Sequence, residues 1–526
     1  MSEHILTWLI FLPVLAALAA VFIPRQRHPW FRVLNLVVCA AQLLLLIVAI
    51  QKYTTETGAF RLVEKTKWFS LNLGSWGDLQ AEYFLAVDGL SFPLIGLSVF
   101  IMLVAAISSW TITKSVKGYF ILMLVLNAAI IGSFTALDLL LFYLFFEFML
   151  LPMFFLIGIW GGDRKEYASI KFFLYTLCGS ILILIAFIGL YLSCSVPGDE
   201  IVHTFNITYL QDAGNYISGS LLHPDNNTTI GGWSARNWAF LLLFIGFAIK
   251  LPMVPFHTWL PDAHVEAPTP VSVILAALLL KIGGYGLMRI AYPLFPDAAI
   301  SLSWVVGLLG VISIIYGALA AMASKDLKRL IAYSSVSHMG YVLLGMASIT
   351  EEGTAGAVYQ MVSHGIITTM LFLIAGVLYD RTHDRMIGNY SGLIKLMPTY
   401  FVVVLIAFFA SLGLPGFSGF IAEIMVFLGA FRSEIIHLGL AVIATLGLAL
   451  AAAYYLWTIQ RMFFGVLHVR GPASGEQLTD LDRREKIMFI PLALAALLFG
   501  IFPQVLLNYI DPFARGFVAL LSGAAN

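Results

Sequence analysis

Runs of about twenty mainly apolar residues, the length a bilayer-crossing helix needs, recur along almost the whole chain, with polar connections between them. About fourteen such runs predict transmembrane helices, at 6–23, 31–50, 84–111, 119–136, 139–160, 168–192, 238–257, 271–290, 301–323, 327–347, 355–379, 398–431, 438–464 and 487–507. The twelfth run is too long for one straight span and contains Gly413, Pro415, Gly416 and Gly419, so it predicts a helix broken midway. The seventh carries Pro252 and Pro255, which remove amide donors and break the hydrogen-bond ladder. Interrupted spans in corresponding positions of two halves point to a transport site. These two lie five spans apart, which predicts two five-helix units, spans four to eight and nine to thirteen. An odd number of spans per unit inverts the second unit relative to the first. The expected fold is an all-α polytopic membrane protein with two inverted five-helix repeats and discontinuous helices 7 and 12. Its expected organisation is an N-terminal three-helix segment at 1–117, repeats at 118–290 and 298–465, and a loop and final helix at 466–526.

Composition agrees: 60% of the 526 residues are apolar and 11% charged, against roughly 25% charged in soluble domains. Lys+Arg and Asp+Glu balance at 29 each, so net charge implies no nucleic-acid or acidic partner. Connections after odd-numbered spans carry about nineteen Lys/Arg and those after even-numbered spans about eight, Arg289 among them. By the positive-inside rule the odd connections are cytoplasmic and both termini lie on the other side. The first run, without a basic flank or cleavage site, reads as a retained helix. Cys39, Cys178 and Cys194 have no metal or disulfide spacing and read as small hydrophobes. Glycosylation patterns at Asn206 and Asn227 carry little weight in a bacterial or organellar chain.

Lys250 and Lys281 remain, both inside apolar runs. A charge at the bilayer centre costs at least ~3 kcal/mol, so such residues are kept for ionic work or neutralised by a partner. Glu147 and Glu423 stand in other apolar runs. Glu147 is the natural partner for Lys250, as modulator or as half of a static ion pair. Lys281 and Glu423 read as functional, against snorkelling and helix capping respectively. His338 and His364 suit a relay because histidine titrates near neutral pH, or serve as buried helix contacts. His257, His264, Asp262 and Glu266 fall in a proline-rich stretch read as a loop, which argues against a metal site. Asp138 reads as an N-cap. The chain has no nucleotide fingerprint, haem-ligand pair, cysteine cluster or serine triad.

The stretch Lys250-Leu-Pro-Met-Val-Pro-Phe-His-Thr-Trp-Leu-Pro-Asp-Ala-His-Val-Glu-Ala-Pro-Thr-Pro resembles the signature of the proton-translocating, antiporter-like membrane subunits. That family includes the L, M and N subunits of respiratory complex I (NADH–quinone oxidoreductase) and the large Mrp sodium/proton antiporter subunits. The resemblance extends through nearly the whole chain and is weakest at 51–83 and 193–237. The family's functional glutamate and two lysines match Glu147, Lys250 and Lys281, and its relay histidines match His338 and His364. Its last ionisable residue, a glutamate in the M type and a lysine in the L and N types, matches Glu423. The chain also stops soon after span fourteen, without the L type's long lateral helix. The resemblance therefore implies an M-type, non-redox subunit of a translocating quinone oxidoreductase in a bacterial inner or equivalent organellar membrane. It implies no cofactor in this chain and L-type and N-type neighbours as partners. An Mrp-type antiporter subunit is the alternative, and a membrane scaffold a third.

Overall fold

The structure, a computed structural model, describes residues 4–72, 74, 78–196, 202–226, 228–469 and 478–525; Asn227 and Arg470 lie outside them. It is a helical membrane bundle. In chain order the main helices are α1 (Ile5–Phe22), α2 (His28–Thr55), α3 (Ser91–Thr111), α4 (Val116–Thr135), α5 (Leu139–Trp160) and α6 (Lys165–Ser193). The seventh expected span is two pieces, α7 (Ala235–Lys250) and α8 (Trp259–Glu266). Then come α9 (Thr269–Leu294), α10 (Pro296–Ala323), α11 (Leu327–Ala347) and α12 (Glu351–Thr382). The twelfth expected span is α13 (Pro398–Ser411) and α14 (Ser418–Arg432). Helices α15 (Leu438–Phe463), α16 (Arg483–Ile501) and α17 (Gln504–Ala525) complete the chain. Among the described residues twelve helices are long and apolar enough to cross a membrane: α1–α6, α9–α12, α15 and α17.

Enclosure is uneven. Helices α9, α11 and α12 are surrounded by other helices nearly throughout, whereas α1, α2 and α15 expose most of their length. The exposed positions are apolar, such as Leu15, Leu18, Val37, Leu44 and Val442, as a lipid-facing surface requires. The inner helices approach closely through small residues. At the α10–α11 crossing Gly310 and Gly340 face each other, and a Cβ on either would run into the other's carbonyl.

Three features depart from the sequence reading. The connection at 51–83, together with 84–87 from the start of the expected third span, forms a hairpin of β1 (Arg61–Asn72) and β2 (Asp78–Val87), which β3 (Val202–Thr204) joins in parallel. β1 mixes charged and apolar residues, and β2 is polar at its start and runs into the buried apolar Phe84–Val87, so neither strand stands out from its flanks as a separate apolar run. The final run splits, because the chain breaks helix at Phe502 before Pro503, which cannot donate to a continuing ladder. Helix α17 then lies against the ends of other helices: Tyr509 packs on Tyr53 and Phe92, and Phe517 on Tyr292. Arg289, expected in a connection, is buried within α9 and paired with buried Asp88 beneath Phe513. The two chain ends share this face, since Leu6 N donates to Glu64 Oε1 of β1 at 2.7 Å. The opposite face carries the ion pairs Lys171–Asp262 (2.7 Å), Arg385–Asp326 (3.2 Å) and Arg381–Glu485 (2.8 Å). Asp138 caps α5, accepting from Leu140 N and Leu141 N at 3.0 Å each.

Candidate functional site: a buried line of titratable side chains

Both broken spans leave backbone groups that need partners at membrane depth. At the first break Leu251 N still reaches Phe247 O (2.9 Å) and Met253 N reaches Ala248 O (3.1 Å). Val254 N donates to Ser313 Oγ of α10 (3.1 Å), and Trp259 Nε1 donates to Ile249 O (2.9 Å). This bracing holds Lys250, the last residue of α7, 7% exposed. Its ammonium donates to Phe146 O of α5 at 3.1 Å and lies 3.2 Å from the centre of the Phe146 ring. A backbone carbonyl and a π-face thus hold the charge.

Glu147 stands beside Phe146 where α5 relaxes at Met149, and it is half-buried. The sequence reading expected a buried acid paired with Lys250. The structure instead places Glu147 towards the outside of the subunit, with no salt bridge to Lys250 among the described residues, although its charge acts on that lysine.

The second half differs. Lys281, fully buried, lies in α9 just after a π-helical stretch, Leu275–Leu279. Such bulges free carbonyls and recur at functional sites. Lys281 Nζ donates to Ala276 O (2.7 Å) and shares a hydrogen bond with His364 Nδ1 of α12 (2.6 Å). The His364 ring centre is 5.3 Å from that of His338 on α11. His338 Nε2 donates to Ser411 O (3.0 Å), a carbonyl freed by the second break, and sits 3.8 Å from Glu423 Oε1 on α14. His338, Gln360, Ser363, His364, Ser411 and Glu423 line one small cavity. Gly413, in the break, has φ 74° and passes directly under the Glu423 carboxylate, where a side chain would collide with it. Lysine, two histidines and glutamate thus form one line inside the three most enclosed helices and the broken span.

The stretch at 256–266 is not a loop. A 3₁₀ turn, Phe256–Thr258, runs into α8. His257 packs on Tyr316 of α10 and His264 on Phe372 of α12, so the two histidines face different helices. Asp262 bridges Lys171 (2.7 Å) and Arg329 (3.3 Å). Lys328, among the cations counted after the ninth span, is buried at the start of α11. Nothing in its polar sequence neighbourhood signals that burial.

Comparison with known proteins fits this geometry. The family model described as "NADH:quinone oxidoreductase/Mrp antiporter, TM" matches residues 136–448, which span both breaks and include Glu147, Lys250, Lys281, His338, His364 and Glu423. The chain belongs to this family. Among its relatives, NADH-quinone oxidoreductase subunit M of Rhodobacter capsulatus is 40% identical over 521 residues, 97% of this chain and 95% of the relative. NADH-ubiquinone oxidoreductase chain 4 of Chondrus crispus is 38% identical, covering 97% and 96%. Among solved structures, a chain of respiratory complex I from Thermus thermophilus matches with TM-score 0.81 at 30% identity, covering 99% of this chain and all of that one. A chain of the Mrp complex from Dietzia shares the fold, with TM-score 0.81 at 21% identity. The family's antiporter-like architecture is therefore that of this chain.

Proposed function

We propose that this chain is an M-type, proton-translocating membrane subunit of an NADH–quinone oxidoreductase. The observation that carries the reading is the buried line Lys281–His364–His338–Glu423. Protons pass along it between lysine amine, imidazole and carboxylate. Glu147, on the outer side of α5, is the group through which a neighbouring subunit alters the field at Lys250. The names of the relatives support quinone oxidoreduction as the energy source, with electron transfer carried out by other subunits and no cofactor in this chain. In this reading L-type and N-type subunits flank it in a bacterial inner or equivalent membrane. The bundle crosses the membrane fourteen times in two inverted five-helix units, both termini lying on the non-cytoplasmic side.

Moving one charge against 100 mV costs about 2.3 kcal/mol. That equals a swing of about 1.7 pKa units at about 1.36 kcal/mol each. Making or loosening one buried ionic contact supplies that much. The test uses membrane vesicles holding the intact complex, with NADH oxidation and proton uptake recorded together. Lys281→Met and Glu423→Gln should each lose proton translocation while the complex still assembles. Full translocation in both rejects the relay. Translocation that requires sodium and proceeds without quinone reduction favours the antiporter reading instead.

A further inference from the structure

A second, more polar cavity opens on the face of the Arg381–Glu485 pair, where the start of α9 meets the ends of α12 and the start of α16. Glu266, Lys328, Asp380, Arg385 and Glu485 are among its lining residues. Most of these charges are committed. Glu485 accepts from Arg381 at 2.9 and 2.8 Å and from Asp482 N at 2.8 Å. Glu266 accepts from Arg164 N (2.9 Å), and Arg385 is held by Asp326 (3.2 Å) and Val265 O (2.5 Å).

Lys328 is different. It is 3% exposed, and its ammonium donates to Ala267 O at 2.8 Å without forming a salt bridge among the described residues. Asp326, Asp380, Glu266 and Arg385 act on its charge only from farther off. Ala267 O also accepts from Ser272 Oγ (3.4 Å), which reaches back to His264 O (3.2 Å). His264 is fully buried and neither ring nitrogen has a hydrogen-bond partner among the described residues. The charges of both Lys328 and Lys281 act on it.

We propose that this cavity is the port through which protons from its face reach the buried line, with Lys328 as the group that takes them up. The inference rests on the relay reading above. A proton from solvent in the cavity bonds to the lone pair of the neutral Lys328 amine. The ammonium then gives one N–H proton to the unprotonated ring nitrogen of His264 and keeps the lone pair left behind; the other ring nitrogen of His264 gives up its proton towards Lys281, so each N–H bond broken is matched by one formed. Arginine in the same place would hold the same charge but would not release a proton.

The test again uses the intact complex in membrane vesicles. Lys328→Arg should assemble and should lose proton translocation to the extent that Lys281→Met does. Translocation at the parent rate in Lys328→Arg overturns the port, because a structural cation is replaceable by arginine. A second variant decides the matter if Lys328→Arg fails to assemble. Thr269→Cys places a thiol on the cavity wall, in a Cys178→Ser background that removes the exposed native cysteine. A positively charged methanethiosulfonate should label it and suppress translocation. Absence of labelling, or complete labelling without loss, overturns the port. Lys281→Met is run alongside. If it too translocates normally the relay itself fails; if only the cavity variants are silent, the relay stands and uptake occurs elsewhere.

Discussion

The two broken spans place charge in contrasting surroundings. Lys250, at the first break, is alone: one backbone carbonyl and one aromatic ring hold it, and the neighbouring acid Glu147 stands half-buried on the outer side of α5. Glu423, at the second break, ends a line in which lysine, histidine, histidine and glutamate follow at 2.6 Å, 5.3 Å between ring centres, and 3.8 Å. The breaks also use their freed carbonyls differently. At the first, Ile249 O is taken by a tryptophan indole, which only braces. At the second, Ser411 O is taken by His338, a group that can itself carry a proton. A helix break in a membrane thus either fixes a charge or feeds a relay, depending on which side chain claims the orphaned carbonyl.

The largest effect that would break this contrast is expected from Glu423→Gln. Glutamine keeps the size and a hydrogen-bond partner for the region of His338, but does not titrate. Proton translocation measured with NADH oxidation should fall by at least about tenfold, equivalent to ~1.4 kcal/mol. An unchanged rate would remove the second half from the route. Lys250 is tested with a pair of variants. Lys250→Met should assemble and lose most translocation, and Lys250→Arg should recover none of it, because arginine keeps the charge without releasing a proton. Recovery in the arginine variant would make Lys250 a fixed charge and reverse the reading of the first break.

A smaller effect sharpens the role of the second break. Gly413 and Gly416 both have positive φ, 74° and 98°. A Cβ at Gly413 would collide with the Glu423 carboxylate, whereas one at Gly416 meets nothing within 4 Å. Alanine at either position pays roughly 1–2 kcal/mol of backbone strain, readable as a lower melting temperature of the complex. Only Gly413→Ala should also slow translocation, by several-fold, since it alone moves the carboxylate away from His338. Equal slowing in both variants would mean that backbone strain, not the position of Glu423, limits the reaction.

The two breaks were legible in the sequence because Pro252, Pro255, Gly413 and Pro415 are local backbone instructions, and local instructions survive in one dimension. Lys250, Lys281, His338, His364 and Glu423 were legible because a titratable side chain in an apolar run is costly wherever it points. What depended on distant packing was not legible. Arg289 stood like an interface marker at the end of a span, and its partner Asp88 lies 201 residues earlier. Lys328 stood among other cations, and its ammonium is held by Ala267 O at the α8–α9 junction. The pairing of Glu147 with Lys250 was inferred from charge alone, and the half-buried side of α5 on which Glu147 falls decided against direct contact with Lys250 at the end of α7. Helix α17 was lost because the last apolar run was read straight across Pro503, and the hairpin because the apolar end of β2 was read as the start of the third span.

The smallest expected effect bears on how the lone charge is held. Phe146→Leu keeps the carbonyl that Lys250 uses, because that group belongs to the backbone, and removes only the ring over the ammonium. A desolvated cation–π contact contributes ~0.5–2 kcal/mol, so its loss favours the neutral amine by that amount. Translocation should change by well under the loss seen in Lys250→Met, and Phe146→Tyr, which keeps a π-face, should leave it near the parent rate. Phe142 and Phe247 flank the ring, so a leucine keeps apolar neighbours and assembly should be unaffected. If Phe146→Leu proved as damaging as Lys250→Met, the ring rather than the carbonyl would be what keeps Lys250 charged. The first break would then depend on an aromatic side chain of another helix, and the contrast with the carbonyl-to-histidine link of the second would be sharper still.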